Sequence, residues 1–122
     1  MTSERIPILV AEDEEMLRMI ATEMLEGAGF KVYEAGDGVE ALALLKANPQ
    51  IVLLVSDIRM PRMDGFALVA AGLVLKPDLK VLLMTGYAEE PPPQVLKARH
   101  IQILHKPFDL EKLCTVAADM MQ

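Results

Sequence analysis

Polar residues able to do chemistry stand directly after four of the chain's apolar runs. Glu12 and Asp13 follow PILVA, Asp57 closes IVLLVS, Thr85 closes KVLLM, and Lys106-Pro107 follow ILH. If these runs end side by side, three carboxylates meet in one cleft, repel one another and push at least one pKa upward. A divalent cation removes that conflict. An oxygen-only donor set, with neither histidine nor cysteine in it, suits Mg²⁺ or Mn²⁺ rather than zinc. A carboxylate, a lysine, a hydroxyl and such a cation together can handle a phosphoryl group. The carboxylate can act as nucleophile and give an acyl phosphate. The cation neutralises charge on the phosphoryl oxygens. Lys106 suits a second phosphoryl oxygen as a compact cation, and Thr85 can donate a hydrogen bond to a third. Asp57, at the end of a central run, is the expected nucleophile, which leaves Glu12 and Asp13 for the metal.

These residues need a frame that brings the ends of the runs together. Five apolar runs recur along the chain: Ile6–Ala11, Phe30–Glu34, Ile51–Ser56, Leu79–Met84 and Ile101–Leu104. Three of them are apolar at nearly every position, as strands covered on both faces are. FKVYE alternates and is expected at a sheet edge. Between the runs lie helical patterns. Leu17, Ile20, Ala21, Met24, Leu25 and Ala28 keep the spacing of one buried helical face, ended by Gly27 and Gly29. Asp37 opens a second helix with Val39, Ala41, Leu42 and Leu45 inward, closed near Asn48-Pro49. A third starts near Asp64-Gly65 and turns Phe66, Leu68, Val69 and Leu73 inward. The last starts at Asp109 and turns Leu110, Leu113, Cys114, Val116 and Ala117 inward. Where a further helix belongs, Pro91, Pro92 and Pro93 remove amide donors, so only a short helix, Gln94 to Arg99, is expected there.

Strands alternating with helices predict an α/β fold, a flavodoxin-like (βα)5 doubly wound three-layer sandwich with a parallel sheet in the order 2-1-3-4-5 and a shortened fourth helix. In such folds the site lies beyond the carboxyl ends of the strands, near the switch point. That is where the polar residues fall.

The 122 residues make one domain, 1–122, with no room for an attached effector. The net charge of −6 and the absence of clustered Lys and Arg exclude nucleic acid as a partner. No run is long enough to cross a bilayer, and MTSERIPILV has no leader-like core, so a cytoplasmic protein is expected. Cys114 is the only cysteine, which fits a reducing compartment, and its apolar helical neighbours make it a structural thiol. His100 and His105 have no partner at metal-ligand spacing. Glu14 and Glu15 are ordinary acids at a helix N-terminus. The proline run reads as a stiff loop.

The chain resembles the receiver domain of two-component response regulators, stand-alone and chemotaxis-regulator-like, over nearly its whole length. The likeness is carried by ILVAEDEE, LLVSDIRMPRMDG, LLMTGYAEE and ILHKPF, in family order and spacing. It implies that Asp57 is the phosphoacceptor, that Asp13 is a direct Mg²⁺ ligand with Glu12 as the second acid, and that the backbone carbonyl of Arg59 is a further ligand. It also implies a mobile hydroxyl at Thr85, a phosphoryl-binding Lys106, a cis bond before Pro107, and a cleft-shaping loop from Pro61 to Gly65. Two departures stand out. Glu12 replaces the commoner aspartate, and Ile103 replaces the usual aromatic three residues before the lysine. Tyr87 is the candidate to take over the switching role of that aromatic.

The implied partners are a histidine kinase or phosphotransfer protein upstream and a protein target downstream. The module is not an enzyme acting on a metabolite, although it would catalyse its own phosphorylation and dephosphorylation. The rivals are a receiver segment of a hybrid histidine kinase, a pseudo-receiver that binds without chemistry, and an aspartate-nucleophile phosphatase or flavin protein of similar topology. Arg59 stands where the phosphatase needs a second acid, and EDEE would repel a flavin phosphate. Met1 and the end after the last helix favour a complete protein.

Overall fold

The computed structural model describes residues 5–85, 100–105 and 109–121. Its elements run β1 (Ile6–Ala11), α1 (Glu15–Gly27), β2 (Phe30–Ala35), α2 (Gly38–Ala47), β3 (Leu53–Asp57), α3 (Gly65–Leu75), β4 (Lys80–Thr85), β5 (Ile101–His105) and α4 (Leu110–Met120). The five strands form one sheet in the order β2-β1-β3-β4-β5, and every neighbouring pair is parallel. The expected order and the edge position of FKVYE are both found. The short helix expected over 94–99 lies outside the described residues.

The runs of the inner strands β1, β3 and β4 are continuous because each of these strands faces two cores. Leu9 and Ala11 of β1, Leu54 of β3, and Val81 and Leu83 of β4 join Ala41 and Leu45 of α2 and Leu68 and Val69 of α3. The intervening residues, Ile8, Val10, Leu53, Val55, Leu82 and Met84, join Ala21 and Leu25 of α1 and Leu113, Ala117 and Met120 of α4. Successive side chains on a strand point to opposite faces, so a sheet with helices on both sides needs apolar residues at every position.

Three helices start where an aspartate was read as an opener. Asp37, Asp64 and Asp109 each accept a hydrogen bond at 2.8 Å from the amide three residues on, at Glu40, Ala67 and Lys112. The predicted inward faces need correction. On α1 the buried residues are Ala21, Thr22 and Leu25, while Leu17, Ile20, Met24 and Ala28 stay exposed. On α2, Val39 is exposed as well, while Gly38, Ala41 and Leu45 are buried.

Candidate active site at the strand ends

The order 2-1-3 makes β1 and β3 neighbours whose chains then run to opposite sides of the sheet, and the cleft opens between their carboxyl ends. β1 pairs with β3 through Ala11 opposite Ser56, so Glu12 and Asp57 follow directly from paired positions. Carboxylate oxygens of Glu12, Asp13 and Asp57 all lie within 4.8 Å of one another. Glu12 is buried, Asp57 half-buried and Asp13 exposed, so the cluster is dry on one side and open to water on the other. Like charges this close repel one another, most strongly on the dry side of the cluster. The donor set is oxygen only and water reaches it, which fits a hard divalent cation that keeps part of its hydration shell.

Backbone contacts aim the acids. Glu12 donates its amide to the Ala35 carbonyl at 3.0 Å, and its own carbonyl accepts from Arg18 Nη1 at 2.9 Å. Its Oε2 accepts the Glu14 amide at 3.1 Å, in place of the side-chain cap that α1 lacks. Asp57 Oδ1 accepts the amide of Ile58 at 2.8 Å, and Ser56 Oγ donates to the Asp57 carbonyl at 2.8 Å. Asp57 pairs with Met84 across β3 and β4, which leaves buried Thr85 one residue farther along at the same end of the sheet. Thr85 in turn pairs with His105, the last residue of β5.

A cavity of about 520 Å³ opens beside these acids, lined by Asp13, Ile58, Arg59, Met60, Pro61 and Asp64. Its wall is the β3–α3 loop, closed by the Gly65 amide donating to the Ile58 carbonyl at 2.7 Å. A Cβ on Gly65 would stand 2.5 Å from the Asp57 carbonyl oxygen, so only glycine lets the loop return this close to the strand end.

Glu12, Asp13, Asp57, Arg59 and Thr85 therefore gather at one end of the sheet, as the sequence led us to expect. Lys106, Pro107 and Tyr87 lie outside the described residues. Two participants were not legible from spacing: Asp64, whose residue was read only as a helix opener, and Arg18, whose guanidinium supports the Glu12 carbonyl. The EDEE run was the available hint for Arg18, since an arginine one helical turn beyond four acids has ready partners.

The description "Response regulator receiver domain" belongs to the family model that matches residues 8–118. The chain is 36% identical over 117 residues to the sensor kinase CckA of Brucella abortus (strain 2308), covering 94% of this chain and 12% of that protein. It is 36% identical over 115 residues to the response regulator receiver protein CpdR of the same organism, covering 93% of this chain and 95% of that one. Among solved structures, the receiver domain from the hybrid histidine kinase CckA superposes with a TM-score of 0.82 at 32% identity, over 95% of this chain and 99% of that one. The chain thus spans nearly all of one relative and a small part of the other. No helix among the described residues is long and apolar enough to cross a membrane.

Proposed function

This chain belongs to the response regulator receiver domain family, phosphoacceptor modules of two-component signalling, and we propose that Asp57 is its phosphoacceptor. The observation that carries the assignment is the meeting of Glu12, Asp13 and Asp57 oxygens within 4.8 Å at the switch point of the sheet. Of the three, Asp57 alone lies on the strand beside both the cavity wall and Thr85, and the Ile58 amide holds one of its oxygens at 2.8 Å. The other oxygen is the nucleophile. It attacks the phosphorus of a phosphohistidine on a kinase or phosphotransfer protein. The O–P bond forms as the P–N bond breaks, and the imidazole nitrogen keeps the electron pair.

Glu12, Asp13, Asp57 and the carbonyl of Arg59 would hold Mg²⁺, which when bound neutralises charge on the phosphoryl oxygens. Thr85 donates to a phosphoryl oxygen, and Lys106 neutralises another. The burial of Glu12 keeps one side of the site dry and strengthens these interactions. The phosphoryl group shifts a two-state equilibrium, with Thr85 and Tyr87 as the moving groups, and a downstream protein selects one state. Receiver domains are signalling modules rather than metabolic enzymes. In this reading the only catalysis is of Asp57's own phosphorylation and hydrolysis, in the cytoplasm.

The test is to incubate the protein with acetyl phosphate, with and without Mg²⁺, and to follow intact mass beside Asp57→Asn. One phosphoryl adduct that requires Mg²⁺ and is absent from the variant supports the assignment. An adduct that survives in the variant moves the nucleophile elsewhere, and a native protein that binds Mg²⁺ but stays unmodified by acetyl phosphate and by phosphohistidine donors is a pseudo-receiver.

A further inference from the structure

Five of the six residues lining the cavity come from the β3–α3 loop, so whatever fixes that loop fixes the site. The loop contains a strained turn. The Met63 amide donates to the Pro61 carbonyl at 2.7 Å, two residues back, and Arg62 between them has φ 68. A turn of this kind is rare, and a side chain bearing a Cβ disfavours it. Arg62 is the only residue other than glycine with positive φ among the described residues. Its neighbour Pro61 has a nearly fixed φ, which leaves one soft dihedral fewer between Arg62 and Arg59.

What holds the turn comes from the start of α2. Arg62 Nε donates to Asp37 Oδ2 at 2.9 Å, and Arg62 Nη2 reaches the same oxygen. The second oxygen of Asp37 accepts the Glu40 amide at 2.8 Å and caps α2. One residue on, Gly38 lies directly under Met63: a Cβ there would stand 2.7 Å from the Met63 Cβ and collide with its carbonyl oxygen. Two consecutive residues at the start of α2 therefore grip two consecutive residues of the loop. The Glu40 amide first, and then the Arg62 guanidinium, hold the Asp37 carboxyl below its ordinary pKa, so the grip is charged at neutral pH.

We propose that the Asp37–Arg62 ion pair is a positioning element of the phosphoacceptor site, holding the strained turn at Arg62 and thereby the Arg59 carbonyl in place for Mg²⁺. The proposal rests on the reading that Asp13, Asp57 and that carbonyl take the metal. Neither Asp37 nor Arg62 touches the reacting atoms. They act through the loop.

The test uses Arg62→Gly, Asp37→Asn and the double variant. Glycine accepts the positive φ without strain and asparagine still caps α2, so both chains fold while the ion pair is lost. Mg²⁺ affinity is measured by calorimetry, and the initial rate of acetyl phosphate labelling is followed as a function of Mg²⁺. Each single variant should weaken Mg²⁺ binding roughly tenfold, the usual scale for groups that orient metal ligands. The Mg²⁺ concentration for half-maximal rate should rise by the same factor, with the rate at saturating Mg²⁺ within about twofold of native. The double variant should be no worse than either single one, and Arg62→Lys should recover part of the loss. An unchanged Mg²⁺ affinity, or a lowered saturating rate with no shift in Mg²⁺ dependence, overturns the proposal. The calorimetry stands apart from labelling. A chain that binds Mg²⁺ and shows the shift, yet labels equally with Asp57→Asn, supports the ion pair and sinks Asp57 as acceptor.

Discussion

Asp13 and Asp57 bring carboxylate oxygens within 4.8 Å of each other from the ends of neighbouring strands, with the Glu12 carboxylate in the same group. Like charges this close oppose one another, and a bound cation relieves that repulsion.

Replacing one acid should therefore stabilise the metal-free protein. We expect Asp13→Asn to raise stability in chelator by about 1–2 kcal/mol, read from urea midpoints at constant slope. Native protein should gain about 2.7 kcal/mol when Mg²⁺ reaches a hundredfold excess over its Kd, and the variant should gain far less. A variant that is weaker than native in chelator and still responds fully to Mg²⁺ would remove Asp13 from the site.

Gly65 gives a second prediction. A methyl group on it would stand 2.5 Å from the Asp57 carbonyl oxygen and 2.8 Å from the Ile58 Cα, both of them backbone atoms that cannot swing aside. Gly65→Ala should cost about 1–3 kcal/mol, the range for forced overpacking, and should slow acetyl phosphate labelling as well. Full stability and full labelling together would show that the loop has slack, contrary to the geometry above.

The strands were legible because burial on two faces leaves one unbroken signal, and they fall within a residue or two of their apolar runs. The largest error is at Ile51, which is buried but precedes β3 and donates its amide to the Asn48 carbonyl rather than joining the ladder. Apolarity reports burial and not pairing. Helix faces were harder. α3, GFALVAAGLVL, carries no polar side chain, so its pattern could not show that Val74 would be 83% exposed. The acids at the strand ends were readable from their place after each run. The Asp37–Arg62 pair was not, because 25 residues separate its partners and Asp37 already had a sufficient local role as a cap.

Asp37 also predicts an acid-side pH dependence. Its folded pKa is lowered below the ordinary 3.8, by the Glu40 amide and then by Arg62. A carboxyl with a depressed folded pKa contributes stability that is fully present above the unfolded value and is lost as pH falls through the folded one. The stability gap between native protein and Asp37→Asn should thus be constant above about pH 5 and shrink steadily below 3.8. Urea midpoints of both proteins across that interval measure it. A gap that widens on acidification would contradict the sign.

Two glycines near the end of α1 should respond oppositely to the same change. Gly27 ends the helix and has open space where a Cβ would sit, as does Gly29, but Gly29 has φ 104. Alanine at 27 meets no obstacle and restricts the unfolded chain, so Gly27→Ala should stabilise by about 0.4–1 kcal/mol. Alanine at 29 must take a backbone conformation that side chains disfavour, and Gly29→Ala should destabilise by about 1 kcal/mol or more. Since neither methyl meets another atom, the difference between the two variants isolates backbone conformation from packing, and thermal or urea unfolding of the pair reads it directly. Equal effects would mean that the turn into β2 relaxes to negative φ, which would shift Phe30 and with it the register of β2 against Ile6.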